Sequence, residues 1–201
     1  MKNIPALIIS FYICRMSSDE KRLLYNSFHL NITVSRLCQQ LIENHNNFEE
    51  SVILGLQPRG IFLAERIKSK LLEEPTIQNI SLGYLDATFY RDDFRRKELP
   101  IIANANKVPF IIEDKRVILI DDVLFTGRTV RSALDAMLAY GRPKQVELLV
   151  LIDRKYTRDL PIQPNYVGRH VNAIQSQKVL VELKEQGVQE DNIWLVNIKD
   201  K

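Results

Sequence analysis

The chain has 201 residues, of which 45% are hydrophobic and 26% charged, as expected for a single globular domain with a sizeable core. Its net charge of +3 permits a polyanionic ligand but does not by itself indicate nucleic acid. Two cysteines without a CxxC pair, together with three scattered histidines, argue against a zinc site and are typical of a reduced, cytoplasmic protein.

An apolar run over residues 4–14 faintly resembles a signal peptide, but it is too short to span a membrane and no small-residue cleavage site follows it. Met16 then begins a segment that favours a helix, with Ser17 and Glu20 at the spacing of a capping box. We therefore predict that residues 1–15 are a non-native or disordered extension, that residues 16–201 form a single domain, and that the protein has no membrane partner.

In the first half of the chain, apolar residues at helical spacing predict a helix over residues 33–45, followed by a buried strand at 51–56 and a turn at 57–60. A helix at 61–72 and a strand at 77–87 come next. Residues 88–113 form a long polar excursion, and a loop of this length inside a compact domain is usually functional.

The second half predicts a strand at 115–121, a helix at 129–140 and a strand at 145–153, and then shorter strands at 166–174, 178–183 and 192–198. Continuous apolar strands that alternate with helices indicate an α/β fold with a central, mainly parallel sheet flanked by helices.

The most informative stretch begins where a predicted buried strand ends in Asp121 and Asp122. A loop with Thr126 and Gly127 follows, and a helix begins at once. Ligands of open α/β sheets bind beyond the carboxyl ends of strands, and a helix N-terminus offers N–H groups to an anion. Gly127 permits close backbone approach, and Thr126 and Thr129 add hydroxyl donors. We interpret this loop as a phosphate cradle, with the two acids as acceptors for sugar hydroxyls or Mg²⁺.

Two adjacent acids alone would fit a simple helix cap better than a ligand site. The strand, loop and helix together favour the cradle. The loop is neither a GxxxxGK[ST] nor a GxGxxG motif, which excludes the two commonest nucleotide-binding signatures.

Residues 117–129, VILIDDVLFTGRT, resemble the 5-phosphoribosyl-1-pyrophosphate signature of type I phosphoribosyltransferases. The resemblance implies that the loop binds the 5′-phosphate, that the paired acids contact the ribose and act in catalysis, and that Mg²⁺ bridges the pyrophosphate. It implies a dissociative displacement, which depends on positioning and electrostatics. The residues it assigns to the phosphoribosyl group and metal are Asp121, Asp122, Val123, Leu124, Phe125, Thr126, Gly127, Arg128 and Thr129.

The turn at residues 57–60 fits the pyrophosphate loop of the same enzymes, because it follows a buried strand and precedes a helix, so that Arg59 and Gly60 would reach an anion. A Pro-Arg-Gly turn on its own is weak evidence. The polar excursion fits the mobile hood loop that closes over the substrate, with Tyr90 and Arg91 as catalytic residues. Residues 95–97 fit a solvated hairpin better.

The resemblance narrows to the PyrR family, the pyr operon regulators that double as uracil phosphoribosyltransferases. It covers residues 30–198 and rests on residues 90–93, 121–131, 140–143, 153–154, 160–162 and 166–168. It implies a cytoplasmic bacterial protein that is a homodimer or a larger homo-oligomer, with the early helix near the interface. The implied ligands are uracil or UMP, 5-phosphoribosyl-1-pyrophosphate with Mg²⁺, and the pyr mRNA leader when UMP is bound.

Phe125 bears on the choice of base. Related 6-oxopurine enzymes carry an acid at this position that assists at the purine ring. A phenyl ring exchanges no proton, which favours a pyrimidine over hypoxanthine or guanine. The resemblance places base recognition at Asp153, Arg154 and Val167, although residues 154–158 are one residue longer than the usual form of the family.

RNA binding requires clustered basic residues, and Arg36 and Arg158 best match the RNA surface of the family. A solvated face is an equal alternative for the helix that carries Arg36, since that helix continues with Gln39, Gln40 and Glu43. Three hypotheses stay open: an enzyme that is also a UMP-responsive RNA regulator, a uracil salvage enzyme without RNA binding, and a nucleotide-sensing regulator with little turnover. A purine phosphoribosyltransferase is an outside alternative.

Two further expectations concern single residues. Cys38 and Trp194 are predicted to pack against apolar neighbours. The three histidines, His29, His45 and His170, are predicted to lie on the surface or in loops.

Overall fold

The structure is a computed structural model that describes residues 21–90 and 106–197. The predictions made for residues 1–15 and for Arg91 therefore lie outside the described residues, as does most of the polar excursion. The α-helices and strands, in chain order, are β1 (Lys21–Asn26), α1 (Ser27–His45), β2 (Ser51–Leu56), α2 (Gly60–Leu71), β3 (Ser81–Leu85), β4 (Arg116–Leu124), α3 (Arg128–Met137), β5 (Gln145–Lys155), β6 (Tyr166–Asn172), β7 (Gln177–Glu182) and β8 (Asn192–Asn197).

The central sheet has five strands in the order β3-β2-β4-β5-β6, and every neighbouring pair is parallel. This confirms the predicted parallel sheet. All six residues of β2 are buried, as a strand covered on both faces requires. Alternate residues of β4 point to opposite faces. Ile118 and Ile120 pack with α1 and α2, while Val117 and Leu119 pack with α3.

A second, smaller sheet joins the two ends of the described chain. It has the order β1-β8-β7, and both pairs are antiparallel. The helix expected from Met16 onward is wrong for residues 21–26, because pairing with β8 draws them into a strand. Helix α1 begins at Ser27, six residues before the predicted start, and the Asn26 side chain caps it by accepting a hydrogen bond from His29 N.

Arg66 of α2 fastens the smaller sheet to the body of the protein. Its guanidinium donates to both carboxylate oxygens of Asp191, at 2.7 and 2.9 Å, and it also pairs with Glu185. Asp191 immediately precedes β8, and Glu185 lies in the 3₁₀ turn Lys184–Gln186 that follows β7. Charge-assisted bidentate pairs of this kind fix geometry as well as adding energy.

His45 is buried, so the prediction that it lies on the surface is wrong. It ends α1 and contacts Ser51 Oγ at 2.8 Å and Glu147 Oε2 at 3.0 Å, and Tyr166 also donates to Glu147. Burial lowers the pKa of His45 despite the opposing effect of Glu147. Burial alone would raise the pKa of Glu147, but hydrogen bonds from Tyr166 and Arg116 outweigh it and lower that pKa. A neutral imidazole beside an ionised carboxylate therefore ties α1 to the sheet.

The described residues before and after segment 91–105 meet at the edge strand β3. Asp86 N donates to Asn106 Oδ1 at 2.6 Å, and Tyr84 and Lys107 exchange two backbone hydrogen bonds. Asn106 and Lys107, inside the predicted excursion, therefore lie beside β3. Among the described helices, none has the length and apolar character needed to cross a bilayer.

Candidate active site

The paired acids lie inside β4, which extends three residues beyond its predicted end to Leu124. Asp121 Oδ1 accepts a hydrogen bond from Asp122 N at 2.9 Å, and Asp122 Oδ1 accepts one from Val123 N at 2.8 Å. The two carboxylates thus lie at the carboxyl edge of the central strand, where open α/β folds bind their ligands.

Both acids have raised pKa values. Burial raises the pKa of Asp121 well above its usual range, and the neighbouring charge of Asp122 adds to the effect. Burial also raises the pKa of Asp122, while Arg59 opposes the rise. Adjacent carboxylates of which one is buried (Asp122) and one half-buried (Asp121) are costly to ionise without a cation or hydrogen-bond donors, and this pattern is common at functional sites.

The turn at residues 57–60 packs directly against these acids. Gln57 N donates to Leu85 O at 2.9 Å, and the Gln57–Pro58 peptide is cis. A Cβ at Gly60 would lie 2.4 Å from Ile120 O and 3.0 Å from Asp121 Cα, so only glycine permits this approach. The turn predicted to hold pyrophosphate and the acids predicted to hold ribose are therefore neighbours.

The loop between β4 and α3 turns at Gly127, whose φ of 91° belongs to the left-handed region. Gly127 packs against Ile162, and Thr126 Oγ1 accepts a hydrogen bond from Arg128 N at 3.4 Å. Helix α3 begins at Arg128, so its N-terminus and positive dipole end adjoin the loop.

Residues 158–160, which were not assigned to the predicted phosphate loop (residues 123–129), hydrogen-bond to the backbone and side chains of that loop. Thr126 O accepts hydrogen bonds from Asp159 N at 3.0 Å and from Leu160 N at 3.2 Å. Arg128 Nε donates to Asp159 Oδ2 at 3.1 Å, and the Arg158 guanidinium donates to Phe125 O. In the sequence, only a family resemblance singled out residues 160–162. No local pattern predicts contacts between residues that are more than thirty positions apart.

The predicted base residues lie at the carboxyl end of β5. Asp153 pairs with Leu124 across the sheet, which places it beside the start of the phosphate loop. Its Oδ1 accepts a hydrogen bond from Arg158, and its Oδ2 lies 3.0 Å from His170 Nδ1. His170 was predicted to lie on the surface or in a loop; it is a half-exposed residue of β6 that contacts this predicted site residue.

Arg154 is 5% exposed, and its guanidinium carbon lies 4.0 Å from the centre of the Phe125 ring. One of its nitrogens donates to Ile174 O at 3.2 Å, whereas Nε is buried without a hydrogen-bond partner among residues 21–90 and 106–197. Burial lowers the pKa of Arg154. A buried donor without a partner is costly and is a common feature of a ligand contact.

A groove of about 980 Å³ opens beside these residues. It is lined by Gln40, Asp153, Arg154, Lys155, Tyr156, Arg158, Asp159, Leu160, Pro161, Ile162, Gln163, Pro164, Asn165, Val167 and His170. The groove therefore runs from the predicted base residues Asp153 and Arg154, along residues 153–165, to helix α1.

Comparison with known proteins places the chain in a family. The family described as Phosphoribosyl transferase domain matches residues 24–186. The bifunctional protein PyrR of Desulfosudis oleivorans is 44% identical over 156 residues, which cover 78% of this chain and 86% of the relative. This chain belongs to the PyrR family of phosphoribosyltransferases. The bifunctional protein PyrR of Halalkalibacterium halodurans is 40% identical over 178 residues, covering 86% of this chain and 96% of the relative.

Solved structures bear out the fold of this PyrR family member. The hypoxanthine phosphoribosyltransferase of Trypanosoma cruzi superposes with a TM-score of 0.66 at 12% identity, covering 89% of this chain and 97% of the other. At that identity the likeness concerns the fold alone, and it confirms the predicted phosphoribosyltransferase architecture.

The remaining predicted residues of this PyrR family member are more dispersed. Tyr90 is exposed in the 3₁₀ turn Thr88–Tyr90, and its carbonyl accepts a hydrogen bond from Ser132 Oγ at the start of α3. The Arg36 guanidinium donates to Val167 O at 3.0 Å and to Gly168 O at 2.7 Å, which ties α1 to the edge strand β6. Arg36 therefore has a structural contact besides its predicted contact with RNA.

Proposed function

We propose that this PyrR family member transfers the phosphoribosyl group of 5-phosphoribosyl-1-pyrophosphate to uracil, which yields UMP and pyrophosphate. The observation that supports uracil as the base is that the Arg154 guanidinium stacks on the ring of Phe125. An aromatic ring and a buried cation occupy the place where a 6-oxopurine enzyme needs an acid.

The roles proposed for the sugar and phosphates follow from the geometry of the carboxyl edge. The N–H groups of residues 126–129 and the N-terminus of α3 bind the 5′-phosphate. Asp121 and Asp122 accept hydrogen bonds from the ribose hydroxyls, and Arg59 with the backbone at Gly60 binds pyrophosphate. The contact of Gly60 with the end of β4 supports this grouping, since it brings the two loops together.

Magnesium fits the donor set at the same edge. Asp121 and Asp122 offer hard oxygen ligands, and their raised pKa values describe a pair that a cation would relieve. We therefore propose that these two residues hold Mg²⁺ together with oxygens of the substrate. The ion would neutralise the negative charge that accumulates on pyrophosphate as it departs.

The base would bind between the phosphate loop and the end of β5. The Arg154 guanidinium can donate to a carbonyl oxygen of uracil through a terminal nitrogen. Asp153 and the backbone at Val167 supply acceptors on the same side. In the reaction, the ring nitrogen of uracil bonds to the anomeric carbon as the bond to pyrophosphate breaks, and the proton of that nitrogen is released. The residues around it position the reactants rather than form a covalent intermediate.

RNA binding is the second activity that we propose. The curated relatives carry the name bifunctional protein PyrR, and the groove beside the base site contains the side chains of Arg158 and His170. A strand of the pyr mRNA leader could follow this groove toward Arg36 on α1, with its phosphates paired to the basic side chains. UMP bound in the neighbouring site would fix the positions of the residues that line the groove.

We also propose a homodimer or a larger homo-oligomer. Phe28 is 67% exposed and Ile32 54% exposed on one side of α1, which is the helix predicted to lie near the interface. Large apolar side chains so close together on a surface are typical of contact sites.

Calorimetric titration of the purified protein tests the choice of nucleotide. UMP should bind with at least tenfold higher affinity than IMP or GMP, and a pyr leader RNA should bind more tightly when UMP is present. Equal affinity for IMP would contradict the proposed base specificity. Tight UMP binding without any effect on RNA would instead favour a salvage enzyme without RNA binding.

A further inference from the structure

Arg158 connects the two halves of the candidate site. Its Nε donates to Ile162 O at 3.1 Å, while its terminal nitrogens donate to Phe125 O and to the Asp153 carboxylate. Phe125 O belongs to the phosphate loop, and Asp153 lies on the base side. One guanidinium therefore holds both, and its side chain is largely buried.

The direction of these hydrogen bonds has a consequence for the phosphate loop. In a trans peptide the carbonyl of one residue and the N–H of the next point in opposite directions. Phe125 O points toward Arg158, and Thr126 O points toward the N–H groups of Asp159 and Leu160. The N–H groups of Thr126 and Gly127 therefore point away from this segment, toward the side on which a phosphate would lie.

The backbone contacts at Thr126 O fix one peptide plane, and the Arg158 contact at Phe125 O fixes the one before it. Two successive N–H groups aimed at one place form a concave site for an anion. The orientation is set before the ligand arrives, which reduces the entropic cost of binding. Without Arg158, the peptide between Phe125 and Thr126 would lose the side-chain donor that orients it.

We propose that Arg158 is a positioning residue for the 5′-phosphate: it orients the peptide plane that presents the Thr126 N–H to the ligand and holds that loop at a fixed distance from Asp153. This role is additional to the RNA contact predicted for Arg158 from the sequence. The inference rests on the proposed phosphoribosyl transfer, because it names the residue that positions the 5′-phosphate of that reaction. Ligand binding tests it without a measurement of turnover.

The test compares Arg158→Gln with Lys155→Gln in the absence of RNA. Lys155 is exposed, lies three residues from Arg158 and lines the same groove, so the control removes the same charge without touching the phosphate loop. The first readout is the dissociation constant of 5-phosphoribosyl-1-pyrophosphate with Mg²⁺. The second is hydrogen exchange of the amides of residues 126–129 in the unliganded protein.

We expect Arg158→Gln to weaken binding roughly 10- to 100-fold, as the loss of hydrogen bonds to a charged group predicts. The amides of residues 126–129 should exchange faster in the same variant, and the Lys155→Gln variant should resemble the wild type in both readouts. Arg158→Lys, which can reach one acceptor, should give an intermediate dissociation constant and serves as the reference if the glutamine variant unfolds.

An Arg158→Gln protein with an unchanged dissociation constant and unchanged amide exchange would overturn the inference, as would equal weakening by Lys155→Gln. Turnover with uracil is measured separately on the wild-type protein. If the wild type binds 5-phosphoribosyl-1-pyrophosphate but does not convert uracil, the proposed reaction fails while the binding comparison still decides the role of Arg158.

Discussion

The guanidinium of Arg154 lies over the face of Phe125, with its central carbon 4.0 Å from the ring centre. A cation in this position is attracted by the face of the ring, and the interaction is strongest where water is excluded. Arg154 is buried, so the ring also replaces part of the solvation that the cation has lost. Nε of Arg154 is buried in this pair and has no hydrogen-bond partner among residues 21–90 and 106–197.

An acid in place of Phe125 should disrupt this arrangement. Phe125→Asp would place a carboxylate within reach of Arg154, and the resulting ion pair would occupy the donors that we assign to uracil. We expect kcat/KM for uracil to fall at least tenfold, which steady-state kinetics would measure. Phe125→Tyr keeps the ring and should stay within about threefold of the wild type. Full activity of the aspartate variant would refute the role given to the stacked pair.

Glycine at position 60 is required by its contact with the end of β4. In Gly60→Ala the new methyl group would lie 2.4 Å from Ile120 O, so the turn must move away from Asp121. We expect a loss of about 1–3 kcal/mol in the free energy of unfolding, together with a raised KM for 5-phosphoribosyl-1-pyrophosphate.

Gly187→Ala is the matched control for that substitution. Gly187 has a φ of 88°, and a Cβ added there would meet nothing within 4 Å, so alanine should cost about 1–2 kcal/mol through backbone strain alone. Its KM should not change. A raised KM in the control would mean that lost stability, rather than a displaced turn, explains the effect at position 60.

We expect the carboxylate of Asp121 to lower the stability of the folded protein near neutral pH, although turnover requires it. The pKa of Asp121 is raised in the folded protein, so the stability that its protonated form contributes is lost as the pH rises from the usual value of 3.8 through the folded pKa. Asp121→Asn cannot ionise and can still accept from Asp122 N. We expect the variant to be more stable than the wild type near neutral pH, to match it in acid, and to lose most of its turnover.

Thermal unfolding across the pH range, without magnesium, would measure this difference. Asp135→Asn is a control at an exposed aspartate of α3, where the carboxylate pairs with Arg131 at 3.6 Å. That variant should keep the thermal stability of the wild type to within a fraction of a kcal/mol, because exposed ion pairs contribute little. If Asp121→Asn lowered stability at neutral pH, burial and the charge of Asp122 would not be what raises the pKa of Asp121.

The buried histidine at the other end of the sheet predicts acid sensitivity. The pKa of His45 is lowered below 6.5 in the folded protein, so its contribution to stability is present above that pH and is lost as the pH falls. The free energy of unfolding should therefore decrease below about pH 6.5 before the carboxylates titrate. His45→Gln should flatten this part of the curve, whereas His29→Gln, at an exposed position of α1, should preserve it. Denaturant unfolding at several pH values would distinguish the two.

Much of the central sheet could be predicted because its strands are continuous apolar segments. The bounds of β2 agree with the prediction at both ends, and the helix that follows the phosphate loop begins within one residue of its predicted start. The β1–β8 pairing could not be predicted in the same way. It joins residues more than 160 positions apart, and the local capping pattern before Lys21 favoured a helix.

The same holds for the candidate site. Features formed by neighbouring residues could be predicted from the sequence, whereas contacts between distant segments could not. The acids and the loop after them form one continuous stretch, so a phosphate-binding role could be predicted for them from residue order alone. The support of Phe125 O by Arg158, and of Thr126 O by Asp159 and Leu160, arises only when β5 returns beside β4. Burial of His45 likewise depends on Glu147, which lies on a distant strand.

The release of pyrophosphate from 5-phosphoribosyl-1-pyrophosphate and Mg²⁺, measured in parallel with uracil, hypoxanthine and guanine, tests the central claim most directly. The account predicts turnover with uracil and none above background with either purine. Turnover with hypoxanthine or guanine would contradict the role assigned to Phe125, and the absence of turnover with all three bases would contradict the proposed reaction and favour a nucleotide-sensing regulator.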